Sequence, residues 1–231
     1  MKFEYFAGEQ RTAPWYDLRI GKVTASRLED WLSVSKAKAS AGKKLKKRTD
    51  YEKELQYERQ FGVAYDNFVS DAMNDGIIYE QFAIMNYQDI KDVKVVPVGA
   101  WYNEHFVASP DGGVGDEGLV EVKVVRDNTF SEILSAGVPE KHWKQIQGQL
   151  WASGRKWCDY IAINLNTKKL KVIRVLPDAE FHEWLELAVP EPIDVEPFSS
   201  EELYDFVQAI PEGEAPQVLT DHSDNTVPEG F

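Results

Sequence analysis

The chain has 231 residues, 43% of them hydrophobic and 12% aromatic, which is enough apolar material for a substantial core and excludes a wholly disordered protein. A single cysteine, Cys158, excludes a disulfide framework, a thiolate zinc site and a cysteine-ligated iron–sulfur cluster within one chain. The net charge of −13 argues against a polyanionic partner only until its distribution is read: after residue 174 there are fifteen Asp or Glu and no Lys or Arg, so residues 1–174 carry 26 basic and 24 acidic groups.

The opening MKFEYFAGEQ lacks an apolar stretch followed by a small-residue cleavage site, so no secretory leader is expected, and the apolar runs are too short to span a membrane. The chain therefore reads as cytoplasmic. Pro14 to Leu32 has apolar residues at helical spacing, broken at Gly21, with Thr24-Ala25-Ser26 as a helix entry. Lys36, Lys38, Lys43, Lys44, Lys46, Lys47 and Arg48 form a basic run without an acid, readable as a solvated loop or as a phosphate contact. Thr49-Asp50-Tyr51-Glu52 has capping-box spacing and predicts a helix through Phe61, and a second helix is expected from near Gly76 through Met85.

Strands are predicted over Val93–Val98, Ala100–Tyr102, Phe106–Ser109 and Leu119–Val125, with Gly112, Gly113, Gly115 and Gly118 marking a turn before the last. Pro139 opens a helix through Ala152 that Gly154 closes. Strands over Trp157–Leu165 and Leu170–Leu176 and a helix over Asp178–Ala188 complete an α/β domain with a central mixed sheet, residues 1–189. Residues 190–231 read as an acidic, proline-containing tail with one short helix over 200–210.

Chemistry concentrates in Ser109-Pro110-Asp111-Gly112 and Glu121-Val122-Lys123. A turn centred near Asp116 places Asp111 and Glu121 opposite each other on paired strands, close enough to share a cation. Glu121 and Lys123 leave the same strand face, and Val120, Val122 and Val124 leave the other. Hard oxygen donors suit Mg²⁺ or Mn²⁺, and the lysine suits a position beside an attacking water. By itself the pattern is equally that of a loop aspartate and a solvated strand face, because such short spacings recur by chance. Glu80, on the helix before the sheet, and Gln147, on the apolar stripe of the Pro139 helix beside Trp143 and Trp151, extend it.

Taken in order, Trp15-Tyr16-Asp17-Leu18-Arg19-Ile20-Gly21, Thr24-Ala25-Ser26, Gly76-Ile77-Ile78-Tyr79-Glu80, Ser109-Pro110-Asp111-Gly112, Glu121-Val122-Lys123 and Gln145-Ile146-Gln147 resemble the phage lambda-type exonuclease (viral recombinase) family of the PD-(D/E)XK nucleases. The resemblance covers Trp15 to about Leu176 and implies a restriction-endonuclease-like core. It implies that Asp111, Glu121, the Val122 carbonyl and Glu80 are metal ligands, for two Mg²⁺ ions that Mn²⁺ can replace. Lys123 then stands beside the attacking water, Gln147 helps to hold the network, and Arg19, Ser26 and Ser109 bind the 5′-phosphate of the digested strand. Met73 falls near a position that wedges apart the terminal base pair or simply packs a helix, and Asp75 stands where the family commonly has an aromatic or basic residue. The implied activity is 5′-to-3′ digestion of one strand of linear duplex DNA by a phage- or prophage-encoded enzyme. A ring of three subunits and a single-strand annealing protein are the implied partners. An endonuclease of restriction or junction-resolving type on the same scaffold is the alternative, and a non-catalytic binding module with structural acids is a third.

Overall fold

In the computed structural model, residues 1–65, 71–193, 195–199 and 201 are described. The side chains of Met73 and Asp75, and the tail helix expected over 200–210, lie outside that part. In chain order the elements are β1 (Glu4–Phe6), α1 (Ala13–Arg19), β2 (Val23–Thr24), a 3-10 turn (Ala25–Arg27), α2 (Leu28–Trp31), α3 (Lys46–Phe61), α4 (Asp71–Lys91), β3 (Val95–Val96), β4 (Ala100–Tyr102), β5 (Phe106–Ala108), β6 (Gly112–Val114), β7 (Gly118–Val125), α5 (Asp127–Ala136), α6 (Glu140–Ser153), β8 (Trp157–Asn164), β9 (Leu170–Val175) and α7 (Ala179–Ala188). The fold class is the mixed α/β expected. The strands, however, divide between two sheets, one ordered β1-β4-β5-β2 and the other β3-β6-β7-β8-β9.

Thr24 does not open a helix: Val23 and Thr24 pair in parallel with Phe106 and Val107, and Ser26 follows in the 3-10 turn. Two residues cannot announce a strand by alternation; the pairing is made by the tertiary fold. Likewise the glycine-rich stretch after Asp111 is itself a strand, Gly112 pairing with Val120 and Val114 with Gly118 around a turn at residues 115–117. Helix α5 has no counterpart in the sequence reading, although it packs Phe130 and Ile133 into the core.

The larger sheet is covered on both faces. Val120, Val122, Ile161 and Ile163 meet Ala83 and Tyr87 of α4, while Leu119, Tyr160 and Ala162 meet Phe130, Ile133, Ile146 and Leu150 of α5 and α6. Helix α6 also touches the smaller sheet, so it is wedged between the two. Gly148 permits this: a Cβ there would stand 2.9 Å from the Phe106 ring and 3.1 Å from a Leu28 methyl.

Arg48 corrects the reading of the basic run. It lies in the first turn of α3, only 2% exposed, with its guanidinium 3.2 Å from the centroid of the Trp31 ring. It donates to Glu52 at 2.8 Å, to Glu191 at 3.1 Å and to the Trp31 carbonyl. This pull extends the helix back to Lys46, so Thr49 and Glu52 lie inside α3 and form no capping box. Lys44 and Lys46 are paired as well, with Glu52 at 2.9 Å and Asp50 at 2.6 Å. Beyond α7 two residues return to α3: Glu191 meets Arg48, and the Phe198 backbone exchanges two hydrogen bonds with the Gln60 side-chain amide.

A buried guanidinium between two carboxylates is costly to remove, because Glu52, at 1% exposure, keeps only Lys44 as a cationic partner and the Trp31 carbonyl and ring lose theirs. Arg48→Ala is expected to lower stability by about 3–5 kcal/mol in urea denaturation, and Arg48→Lys to recover less than half of it. A loss below about 1 kcal/mol would show that Glu191 and Trp31 do not depend on Arg48.

Candidate active site

The site is assembled from both faces of the larger sheet. Glu121 projects from β7 toward α6 and is 1% exposed. Its Oε1 accepts from Lys123 Nζ at 2.6 Å and from Gln145 Nε2 at 2.6 Å, and its Oε2 accepts from Gln149 Nε2 at 2.7 Å. A buried carboxylate without such donors would be prohibitive; hydrogen bonds to a charged group contribute about 1.5–3 kcal/mol each.

Asp111 sits one residue ahead of β6. Its N–H donates to the Val120 carbonyl at 3.1 Å, and its Oδ2 accepts from the Val122 N–H at 2.6 Å. The carboxylate is thus locked against β7 beside Glu121. Burial, then Glu121, then Glu80 push its pKa well up, against the opposing Lys123 ammonium and the Val122 N–H. Burial works against the Lys123 charge, but Glu121 and Asp111 outweigh it and hold the pKa above the usual lysine value. Lys123 is therefore an ammonium at neutral pH and acts as a donor.

Glu80 arrives from α4, on the other face of the sheet, and acts on Asp111 through space. Its own Oε2 accepts from Arg11 Nη2 at 2.8 Å. Among the described residues the acids do not close into a metal-holding group of three or more. The reason is electrostatic. Each of the three carboxylates is drawn to its own donors: Glu121 to Lys123 and two amides, Asp111 to a backbone N–H, Glu80 to Arg11. The donor set nevertheless fits a hard divalent cation: it is all oxygen, and Asp111 offers a carboxylate whose second oxygen makes no hydrogen bond among the described residues, beside Glu121.

Gln147 is not part of this arrangement. Residues 145 and 149 are one helical turn apart and face Glu121, whereas residue 147 points away. Its amide donates to the Leu176 carbonyl at 2.8 Å and accepts from the Asp178 N–H and from His182 Nε2, each at 2.9 Å. It anchors the start of α7, where Asp178 caps the Phe181 N–H. The apolar stripe around Gln147 hid this, because three glutamines at spacing two cannot all face the same way. Trp143 and Trp151 pack as expected, on Phe181 and Phe3.

A second group of sequence-predicted residues lies on the neighbouring strands. Arg19 ends α1 with its guanidinium 4.2 Å from the centroid of the Trp15 ring, and Trp15 Nε1 donates to Ser109 Oγ at 2.9 Å. Arg19 makes no side-chain hydrogen bond among the described residues; burial lowers its pKa, while Tyr51 and Glu58 act the other way. The register that pairs Thr24 with Val107 carries Ser26 and Ser109 off the same end of β2 and β5, and Ser26 Oγ lies 3.1 Å from Thr24 Oγ1. Arg19, Ser26 and Ser109 are thus linked through Trp15 and the strand pair.

The sequence reading missed Gln10 and Arg11. Gln10 Nε2 binds the Pro110 carbonyl at 2.7 Å and the Val98 carbonyl at 2.9 Å, bracing the turn ahead of Asp111, while Arg11 holds Glu80. Also unread was the pair of His142 Nδ1 and Tyr160 OH at 2.9 Å. Burial, Lys123 and Lys141 push His142 down to about 4, so the imidazole is neutral beside that ammonium.

Comparison with known proteins decides the family. Residues 14–156 match the model of the YqaJ-like viral recombinase domain. The chain belongs to this family. An alkaline exonuclease (LHK-Exo) from Laribacter hongkongensis is 30% identical, over 84% of this chain and 92% of that one, with a TM-score of 0.66. The same protein in complex with dAMP gives 0.67 at the same identity and coverage. A phage related exonuclease from Haemophilus somnus 129PT, at 16% identity over 73% of this chain and 90% of that one, shares the fold with a TM-score of 0.55. No curated protein matches significantly. Family membership makes the chain a DNA-hydrolysing nuclease.

Two glutamines therefore separate by function. Gln145→Leu is expected to slow single-turnover degradation of linear duplex DNA roughly 10–100-fold, by releasing Glu121. Gln147→Leu is expected to leave that rate within about twofold and to lower stability by about 1–3 kcal/mol. The reverse ranking would return Gln147 to the site.

Proposed function

We propose that this protein is a divalent-metal-dependent 5′-to-3′ exonuclease that digests one strand of linear duplex DNA and leaves a 3′ single strand for recombination by annealing. The observation that carries this reading is the spacing of the two groups of residues. Ser109, grouped with Arg19 and Ser26, is two residues from Asp111, so the chain separates them by at most about 7 Å. An end-binding phosphate pocket next to carboxylates suits an enzyme that holds a terminal phosphate and cuts at the following phosphodiester. LHK-Exo, which has been crystallised with dAMP, offers a parallel, since a deoxynucleoside monophosphate is what stepwise digestion releases.

Asp111, Glu121, the Val122 carbonyl and Glu80 would hold Mg²⁺, two ions in the full site, with Mn²⁺ able to substitute. Bound there, a divalent ion neutralises charge at the phosphate and makes water a better nucleophile. The protein's own groups do the rest. Lys123, already an ammonium, donates to the water or to phosphate oxygens as charge builds there. The Arg19 guanidinium, stacked on Trp15 and without a hydrogen-bond partner among the described residues, offers a planar fork to the 5′-phosphate. Ser26 and Ser109 add hydroxyl donors. Glu80 changes partners in this reading, leaving Arg11 for the cation. Among the described residues no helix is long and apolar enough to cross a membrane, in keeping with a phage- or prophage-encoded enzyme acting in the host bacterial cytoplasm. A ring of three subunits and a single-strand annealing protein are the partners that the family resemblance supports.

The test uses end-labelled duplexes with 5′-phosphate or 5′-hydroxyl ends, and a covalently closed circle, in Mg²⁺ and in EDTA. Linear duplex should lose label from 5′ ends only, in Mg²⁺ only, with the circle intact. Arg19→Ala should erase the preference for phosphorylated ends, about 10-fold or more, while sparing most cleavage of hydroxyl ends. Cutting of the circle, or equal loss on both kinds of end, would contradict the end-binding role.

A further inference from the structure

Gln149 has an atom that nothing so far explains. The residue is fully buried, at 0% exposure, and its Oε1 is the one buried side-chain polar atom without a hydrogen-bond partner among the described residues. Turning the amide over does not relieve this. It would aim Oε1 at the Glu121 carboxylate, which already faces the amide nitrogen at 2.7 Å, and set acceptor against acceptor. An unpartnered buried carbonyl oxygen is destabilising, so its retention points to a donor that arrives with function.

The acceptor positions of Glu121 indicate where that donor comes in. A carboxylate has about four lone-pair positions. Lys123 and Gln145 occupy both on Oε1, and Gln149 occupies one on Oε2. The position left open is therefore on Oε2, the oxygen that Gln149 itself holds. A divalent cation placed there brings waters whose protons need acceptors, and Gln149 Oε1 is a vacant acceptor on the adjoining amide.

We propose that Gln149 is a positioning residue: its Nε2 holds Glu121 so that one Oε2 lone pair stays free for the cation, and its Oε1 accepts a hydrogen bond from a water the cation carries. This rests on the metal-dependent reading above. It also assigns distinct work to the three glutamines of α6. Gln145 helps fill Oε1, Gln149 directs Oε2, and Gln147 is satisfied elsewhere.

The test is calorimetric titration of Mn²⁺ into metal-free full-length protein, with thermal unfolding in EDTA run in parallel. Wild type, Gln149→Leu, Gln149→Met, Gln147→Leu and Glu121→Gln are compared. Both Gln149 variants should bind Mn²⁺ about 10–100-fold more weakly, with an unfolding midpoint lowered no more than that of Gln147→Leu, because removing the unpartnered Oε1 offsets part of the lost bond to Glu121. Gln147→Leu should unfold earlier and bind Mn²⁺ as wild type does. The unbranched Met variant keeps the comparison available if Leu does not fit the helix interface. If Glu121→Gln loses Mn²⁺ but both Gln149 variants bind it normally, Gln149 is a packing residue and the proposal is wrong while the metal reading stands. If Gln147→Leu weakens Mn²⁺ as much as the Gln149 variants, the effect is general loosening of α6, which also overturns it. If wild type binds no Mn²⁺, the metal reading fails and takes this proposal with it.

Discussion

The rest of the site depends on keeping one carboxylate, Glu121, almost completely out of water. At 1% exposure it survives only because three donors reach it, and those donors dictate architecture. Lys123 comes free with the strand, two residues on along the same face. The two amides must come from a helix that lies close over β7 and β8, and α6 can lie there only because Gly148 has no side chain to strike Phe106 and Leu28. The same helix packs on the smaller sheet and on the 3-10 turn that carries Ser26, so the Ser26 turn and the acid pair rest on one helix. A substitution in the α6 interface should therefore be felt in both places.

How much of this was legible depends on whether a residue's role is local. The Pro139 entry and the Gly154 exit of α6, the Asp178 cap of α7, and the turn around Asp116 are set by neighbours within a few residues, and all three elements lie where the sequence puts them. Glu121 and Lys123 share a face for the same reason. The two-residue strand β2 was illegible because only pairing with β5 makes it a strand. Arg48 was illegible too. In sequence it continues a run of lysines; in space it is stacked on Trp31 between Glu52 and Glu191, 143 positions away. Gln147 was misread because the apolar stripe of α6 gives no phase for the amides, and two faces of the helix are buried at once. Gln10 and Arg11 carried no signal, since their partners at Pro110 and Glu80 are remote and no periodicity marks them.

Charge is organised on the same principle of separation. The chain leaving α7 is tied down along α3, at Arg48 and again at Gln60, before the last acidic stretch begins. Residue 59, next to Gln60, packs on Gly21 just beyond Arg19, and Glu58 accepts the Gly21 N–H at 2.7 Å. The end of α3 thus anchors both the strap and the loop that follows Arg19. Arg48 and Lys44 of the basic run are held by Glu52 of α3, so its sequence overstates the free cationic surface available to DNA.

The claim at the centre of this account is that Glu121 is buried for its charge and not for its shape. Glu121→Gln separates the two, since the amide is isosteric and Gln145 and Gln149 can turn to meet it. Thermal unfolding and single-turnover degradation of linear duplex in Mg²⁺, measured on the same preparation, decide the matter. The account predicts an unfolding midpoint equal to or above that of wild type, together with a rate lower by roughly 10²–10³-fold or more. A variant that degrades DNA at near the wild-type rate, or one whose activity falls only because it unfolds, would contradict it.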